Sequence, residues 1–224
     1  MLTAIIVAAG SSRRVGFDKL FAPILGKPVI AHTIDAFEQA NCVNDIIIVA
    51  REDRHDEIKK LGSAKIRAIV AGGEHRQDSV AAGLMGRGAS EGYVAVHDAA
   101  RPLVTAQLIE RVFAKAQETG AASAAEAVSD TLKRADVDLV VKEAVDRQQL
   151  FAMQTPQIFE RSLIEDAYRA VFAKNLRITD EVSAVEQLGR KVALVPNDDF
   201  NFKITFERDL KLAELVLRQR AEAS

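Results

Sequence analysis

The sequence predicts an α/β fold wound on both sides of a mostly parallel sheet, with a β-hairpin arm projecting from it. Three observations lead there. Short β-branched runs alternate with helical patterns through the first half of the chain. Those runs are apolar on both faces, as expected of parallel strands covered on both sides. One later stretch, "SDTLKRADVDLVVKEAV" (129–145), reads as strand, polar turn, strand, and lacks the apolar content of a central position.

In order, "TAIIVAA" (3–9), "DIIIVA" (45–50), "IRAIVAG" (66–72) and "YVAVHDA" (93–99) read as strands. Between them, "PVIAHTIDAFEQA" (28–40), "DRHDEIKKLG" (53–62) and "RQDSVAAGLMG" (76–86) read as helices. "TAQLIERVFAKAQETG" (105–120) adds another, with Thr105 as N-cap and Gly120 just past its end. The hairpin at 129–145 is marginal alone and needs a partner surface, so a homodimer that exchanges arms is expected. Beyond it come helices near 160–174 and 180–188, strands at 191–196 and 201–205, and a closing helix from about Glu207. No repeat or Pro/Gly-rich linker divides the chain, so residues 1–224 read as one domain.

Composition narrows the functions. With 48% hydrophobic and 28% charged residues the chain reads as soluble and globular. A formal charge of −2 argues against a general nucleic-acid binder. Cys42 is the single cysteine, which excludes an intramolecular disulfide and a cysteine-rich metal site. "MLTAIIVAAG" is too short for a membrane span and lacks a basic leader region. A cytoplasmic location without a membrane partner is therefore expected.

Ligands on such sheets bind beyond the carboxyl ends of the strands, where the strand order reverses. Three loops at predicted strand ends carry chemistry. In "AAGSSRRVGFDKL" (8–20), a small-residue run is followed by Arg13, Arg14 and Lys19, with Asp18 the only acid. The loop fits neither the dinucleotide nor the P-loop pattern. Its main-chain N–H groups and cations suit a polyphosphate, though alone it is equally a basic surface turn. In "AGGEHRQDSV" (71–80), the paired glycines free main-chain groups to read a base edge, and Ser79 could cap the helix or touch a ligand. In "VHDAARP" (96–102), Asp98 can bind Mg²⁺ or sugar hydroxyls, and Arg101 can hold that carboxylate in place.

Later clusters offer Arg147 and Thr155 in "DRQQLFAMQTPQIF" (146–159), and Thr179, Asp180 and Glu181 in "LRITDEVSAVEQLG" (176–189). The acids of the second cluster also suit a helix N-terminus. Lys203, inside apolar "NFKIT", needs an anionic partner or a route to solvent. His32, His55 and His75 lack metal spacing.

"AAGSSRR…DK", "GGEHRQDSV", "VHDAARP", "SDTLKRA", "VDRQQLF", "QTPQIF", "ITDEVSAVE" and "NFKIT" occur in the order found in 2-C-methyl-D-erythritol 4-phosphate cytidylyltransferases. The chain resembles that family over nearly its whole length. The resemblance implies a Rossmann-like core and a homodimer joined by exchanged β-arms. It also implies transfer of a cytidylyl group from CTP to a polyol phosphate with Mg²⁺ or another divalent cation, on the route to isoprenoid precursors. By resemblance, Arg14 and Lys19 stabilise charge at the α-phosphorus, and Arg147 and Lys203 position the acceptor phosphate. Ala8, Ala9, Gly10, Ser11, Gly73, Glu74 and Ser79 match the nucleotide-binding segments. Asp98, Arg101, Thr131, Thr155 and Thr179 match the acceptor side, with the metal held mainly by the triphosphate. Asp18 stands where the family often has proline, and beside Lys19 it is expected to offset part of the lysine's charge. A ribitol 5-phosphate cytidylyltransferase and a non-catalytic CTP-binding regulator share most of these features.

Overall fold

In a computed structural model, residues 1–10, 17–86 and 91–223 are described. The chain runs β1 (Leu2–Ala8), a two-residue ribbon of β2 (Pro23–Ile24) and β3 (Lys27–Pro28), α1 (Val29–Gln39) and β4 (Val43–Ala50). A 3-10 turn at Glu52–Arg54 leads into α2 (His55–Lys59), then β5 (Ile66–Ala71), α3 (Arg76–Met85), β6 (Tyr93–Asp98) and α4 (Ala106–Thr119). Next come β7 (Ala121–Ala127), β8 (Leu132–Ala135), β9 (Val141–Val145) and β10 (Phe151–Glu160). The chain closes with α5 (Arg161–Ala173), α6 (Glu181–Glu186), β11 (Ala193–Pro196) and α7 (Glu207–Glu222).

Seven strands form one sheet in the order β11-β7-β10-β6-β1-β4-β5. β6, β1, β4 and β5 are mutually parallel, and β10 runs antiparallel between β6 and β7. From β1 the chain moves out to β4 and β5, then returns to place β6 on the other side of β1. That reversal opens a crevice at the carboxyl ends of β1 and β6. Alternate residues of the strands feed two cores. Leu2, Ala4 and Ile6 face α1, α4 and α7, while Ile5 faces α3, α5 and α6. Thr105 caps α4 by accepting from the Leu108 N–H at 3.2 Å. Gly120 ends α4 at φ +80°, so the chain enters β7 with no intervening loop.

The structure departs from the sequence expectations in particular places. Residues 53–62 form a short helix after a 3-10 turn rather than one long helix. Residues 201–205 form no strand. They are pinned by single contacts: the Asn201 amide donates to Gln154 Oε1 and Thr155 O at 2.9 Å each, and the Ile204 N–H to Ala100 O at 2.7 Å. β7 and β10 had no strand signal. Tertiary packing makes strands of "AASAAEA" and of a run broken by Pro156. The arm is present as β8 and β9, which among the described residues pair only with each other. Its tip exposes Val137 (96%) and Leu139 (85%) to solvent. Among the described residues, no helix is long and apolar enough to cross a membrane.

Candidate active site

At the crevice lies a cleft of about 910 Å³, lined by Ala9, Gly10, Lys19, Arg51, the 72–76 turn, Ser79, Asp98 and Lys203. Ala9, Gly10, Gly72 and Gly73 form part of its lining. Ala8 is buried at the end of β1, and the chain becomes exposed at Gly10. Gly72 lets the ends of β1 and β5 meet, because a Cβ there would stand 2.2 Å from Ala9 Cβ. The Gly73 N–H donates to Ser79 Oγ at 3.2 Å, and that hydroxyl donates to His75 O at 3.2 Å. Ser79 is therefore built into the turn, one helical turn inside α3. The N-terminus of α3 is at His75, whose N–H donates to the Asp78 carboxylate at 2.9 Å. Glu74 is exposed at the cleft wall. Ser11 and Arg14 lie outside the described residues.

A second cleft of about 480 Å³ is lined by Arg101, Met153–Thr155, Gln157, Thr179, Asp180 and Ser183. Arg76, Asp98 and Lys203 line both clefts and form their shared wall. Lys203 Nζ donates to Asp98 Oδ2 at 2.7 Å, and Arg76 Nε to Asp98 Oδ1 at 3.1 Å. Lys203 has thus found the anionic partner its apolar setting required. Burial alone would raise the Asp98 carboxyl, but Arg76 and Lys203 override it and hold the group well below the usual carboxylate range.

Arg76 is also gripped from behind. Its two terminal nitrogens donate to Glu181 Oε1 and Oε2 at 2.7 and 2.9 Å, and Tyr168 Oη donates to Glu181 Oε1 at 2.9 Å. Glu181 is fully buried. Burial opposes the guanidinium charge, yet Glu181 and Asp98 more than offset it and push Arg76 upward. Burial, then Glu181, pushes the Tyr168 hydroxyl upward as well. Gln157 accepts from the Glu181 and Val182 N–H groups at 3.1 and 3.2 Å and donates to Asp180 at 2.9 Å. Asp180, in turn, caps α6 by accepting from the Ser183 N–H at 3.0 Å. The capping expected of the acidic pair falls to Asp180 alone.

Two residues work differently from their sequence reading. Arg101 is expected from the sequence to hold the Asp98 carboxylate; its guanidinium instead donates to Asn201 O at 2.6 Å and Met153 O at 3.4 Å. It tethers main chain, and Arg76 and Lys203 take the carboxylate. Thr155 lines the second cleft but is 5% exposed, and its hydroxyl oxygen accepts from the Asp98 N–H at 3.1 Å. It also lies 3.0 Å from His97 Nδ1, while His97 Nε2 lies 3.3 Å from Arg101 O. A carbonyl can only accept, so Nε2 carries the proton and the Thr155 hydroxyl donates to Nδ1. Burial lowers the His97 pKa to about 3, which keeps the ring neutral.

Lys19 Nζ donates to Ile204 O at 2.9 Å, next to Lys203. Asp18, next to Lys19 in sequence, pairs with Arg54 at 2.6 Å and approaches Arg51 at 3.7 Å. Thr179 is exposed, with Oγ1 3.4 Å from Ser183 Oγ. Thr131 and Arg147 are exposed at the base of the arm, away from both clefts, and Arg147 donates to Ser129 O. Among the described residues, no three His, Cys, Asp or Glu side chains converge as a metal site. Arg76 and Gln157 escaped the sequence reading as single polar residues in short motifs. Their burial beside an acid is a tertiary fact.

A doubly wound sheet with two clefts, lined by cations and acids, meeting at its switch point fits one class: a nucleotide-dependent group-transfer protein. Comparisons with known proteins narrow it. The family model for 2-C-methyl-D-erythritol 4-phosphate cytidylyltransferase matches residues 2–219. A protein of that name from Halalkalibacterium halodurans is 39% identical over 224 residues, covering 97% of each chain. Another from Dehalococcoides mccartyi is 39% identical over 221 residues, covering 96% of each. The solved 4-diphosphocytidyl-2C-methyl-D-erythritol synthase of Anaerococcus prevotii superposes with a TM-score of 0.85 at 30% identity, covering 97% of this chain and 98% of that one. The Thermus thermophilus 2-C-methyl-D-erythritol 4-phosphate cytidylyltransferase gives 0.81 at 33% identity, with 96% and 98% coverage. This chain belongs to the 2-C-methyl-D-erythritol 4-phosphate cytidylyltransferase family, and it is a nucleotidyltransferase.

Proposed function

We propose that this enzyme joins CTP to 2-C-methyl-D-erythritol 4-phosphate, giving 4-diphosphocytidyl-2-C-methyl-D-erythritol and pyrophosphate for isoprenoid precursor synthesis. Besides family membership, the observation that carries the reading is the meeting of two clefts at one charged wall of Arg76, Asp98 and Lys203. A phosphate oxygen of the acceptor attacks the α-phosphorus of CTP. A new P–O bond forms as the bond to the bridging oxygen breaks, and that oxygen leaves with pyrophosphate. Two anions must be brought together, so positioning and charge neutralisation dominate and no general base is needed.

In this reading the larger cleft holds CTP. Ala8, Ala9, Gly10 and Ser11, with Gly73, Glu74 and Ser79, surround the cytosine and ribose, and Arg14 and Lys19 stabilise charge at the α-phosphorus. A main-chain carbonyl facing the cytosine amino group would leave UTP with an unmet polar pair, so CTP is strongly preferred. The smaller cleft holds the acceptor, with Asp98, Arg101 and Thr179 around it and Lys203 on its phosphate. Thr155 serves it by fixing the Asp98 main chain. Thr131 and Arg147 reach it from the arm of a second copy, since in their own chain they stand away from both clefts.

Each Asp98 oxygen accepts a single cationic donor and keeps a further lone pair. One carboxylate beside phosphate oxygens suits Mg²⁺, which is commonly bound through one or two carboxylates plus substrate phosphates. Bound by the triphosphate near Asp98, Mg²⁺ or another divalent cation would neutralise phosphate charge. The expected setting is the cytoplasm.

Pyrophosphate release from CTP and Mg²⁺ should be measured with methylerythritol phosphate and ribitol 5-phosphate in parallel. Release with the first alone is expected. Release with the second alone would replace the acceptor, and silence in both with CTP bound would favour a regulator. Mixing Arg14→Ala and Arg147→Ala subunits should restore some activity. No recovery in a verified heterodimer would place both residues in one subunit's site.

A further inference from the structure

The cytidylyltransferase reading leaves the most deeply buried acid of the site without a task. Glu181 is fully enclosed, it is the second residue of a two-acid helix start, and Asp180 already provides the cap. Burying a carboxylate is costly unless it is paired and hydrogen-bonded, and every contact of Glu181 serves that pairing. Tyr168 donates to one oxygen, Gln157 accepts from its N–H, and the fork of Arg76 closes on both oxygens. A bidentate guanidinium–carboxylate pair fixes the plane of the fork as well as its place. Arg76 meets Asp98 through Nε, which takes one oxygen and leaves the other to Lys203. The order Tyr168–Glu181–Arg76–Asp98–Lys203 thus runs from α5 through α6 and α3 to the wall between the clefts.

Resting on that functional reading, we infer that Glu181, braced by Tyr168, is a positioning residue for the transfer reaction: it restrains Arg76 so that the two Asp98 oxygens stay divided between Arg76 and Lys203 on the wall shared by the clefts. Without it, the terminal nitrogens of Arg76 turn onto Asp98, occupy the lone pairs that face the acceptor, and displace Lys203. The substrate then binds at a wall whose charges point elsewhere.

The test is a double-mutant cycle with Glu181→Gln, which keeps shape and removes charge, and Arg76→Lys, which keeps charge and removes the fork. Each single variant should lower kcat/KM for methylerythritol phosphate about a hundredfold, the scale of a misplaced reacting group. If Glu181 acts through Arg76, the double variant should be no worse than either single one. Tyr168→Phe should lower the same parameter about tenfold, as loss of one donor to a charged group does. A melting-point loss with unchanged kinetics, or losses that multiply in the double variant, would overturn the inference. Where Glu181→Gln fails to fold, Tyr168→Phe with Arg76→Lys completes the cycle under the same criterion. A wild type that releases no pyrophosphate overturns the functional reading instead, so the two failures are told apart.

Discussion

The two clefts that meet at Asp98 are built from different materials. The larger cleft, proposed for CTP, is lined at the ends of β1 and β5 by small residues, Ala9, Gly10, Gly72 and Gly73, held by one close approach of Gly72 to Ala9. The smaller cleft, proposed for the acceptor, is lined by Gln154, Thr155 and Gln157, which with Glu181 behind them are each at most 5% exposed and form an interlocked set of buried polar groups. A surface of main-chain dipoles discriminates by shape and by which donors and acceptors it presents. A surface of paired charges instead orients a polyanion and holds its field in place. The first should therefore fail through added volume and the second through lost charge.

The largest effect expected is that of Asp98→Ala, which strands Arg76 and Lys203 on the shared wall. Turnover should fall about 10²–10³-fold. Stability should fall by about 3 kcal/mol, since removing one partner leaves buried charge behind. The native Asp98 pKa is lowered, so its contribution is complete above the ordinary unfolded value near pH 4 and disappears as pH falls towards the native one. Urea titrations from pH 7 downwards should show that acid-side loss in the wild type and lack it in the variant.

Next is Gly72→Ala, which forces a methyl into the 2.2 Å gap to Ala9. It should cost about 1–3 kcal/mol in thermal unfolding and weaken CTP while leaving acceptor binding nearly intact. A variant that binds CTP normally would show that the two loops can separate without harm. Arg147→Ala should do the reverse. It should raise the acceptor KM about tenfold, leave CTP alone, and not move the melting point, because the side chain is exposed.

The smallest effect at neutral pH belongs to His97, whose native pKa of about 3 keeps it neutral inside the acceptor-side network. Its stabilisation is complete above the unfolded value near 6.5 and is lost towards pH 3 at about 1.4 kcal/mol per unit. His97→Asn should flatten that slope. An unchanged slope would mean that another group carries the proton.

The same contrast explains what was legible in the sequence. The parallel half of the sheet announces itself, because β1, β4 and β6 are apolar on both faces and their ends carry compact motifs. The antiparallel half does not. β7 is nearly all alanine, a helix former by propensity, and becomes a strand through its pairing with β10 on one side and β11 on the other. β10 carries Gln154, Thr155 and Gln157, which look like loop residues until the network that satisfies them is seen. Asp98 and Lys203 could be flagged separately, but their pairing at 2.7 Å spans 105 residues and left no local trace. Arg101 was assigned the carboxylate by proximity in sequence, and in three dimensions Arg76 takes it. Motifs locate the strand ends; the assignment of partners among charges is decided by packing.

β7 has a further consequence. Ala121, Ala122, Ala124 and Ala125 are wholly enclosed, and none of them has a methylene to surrender. Every common substitution there adds volume, and overpacking of a filled interior costs about 1–3 kcal/mol. In a saturation library this strand should be depleted of almost everything but the smallest side chains. The large buried residues of β1 and β4 should instead tolerate swaps of similar size. A stretch that looks bland on the page would then be among the least permissive in the molecule.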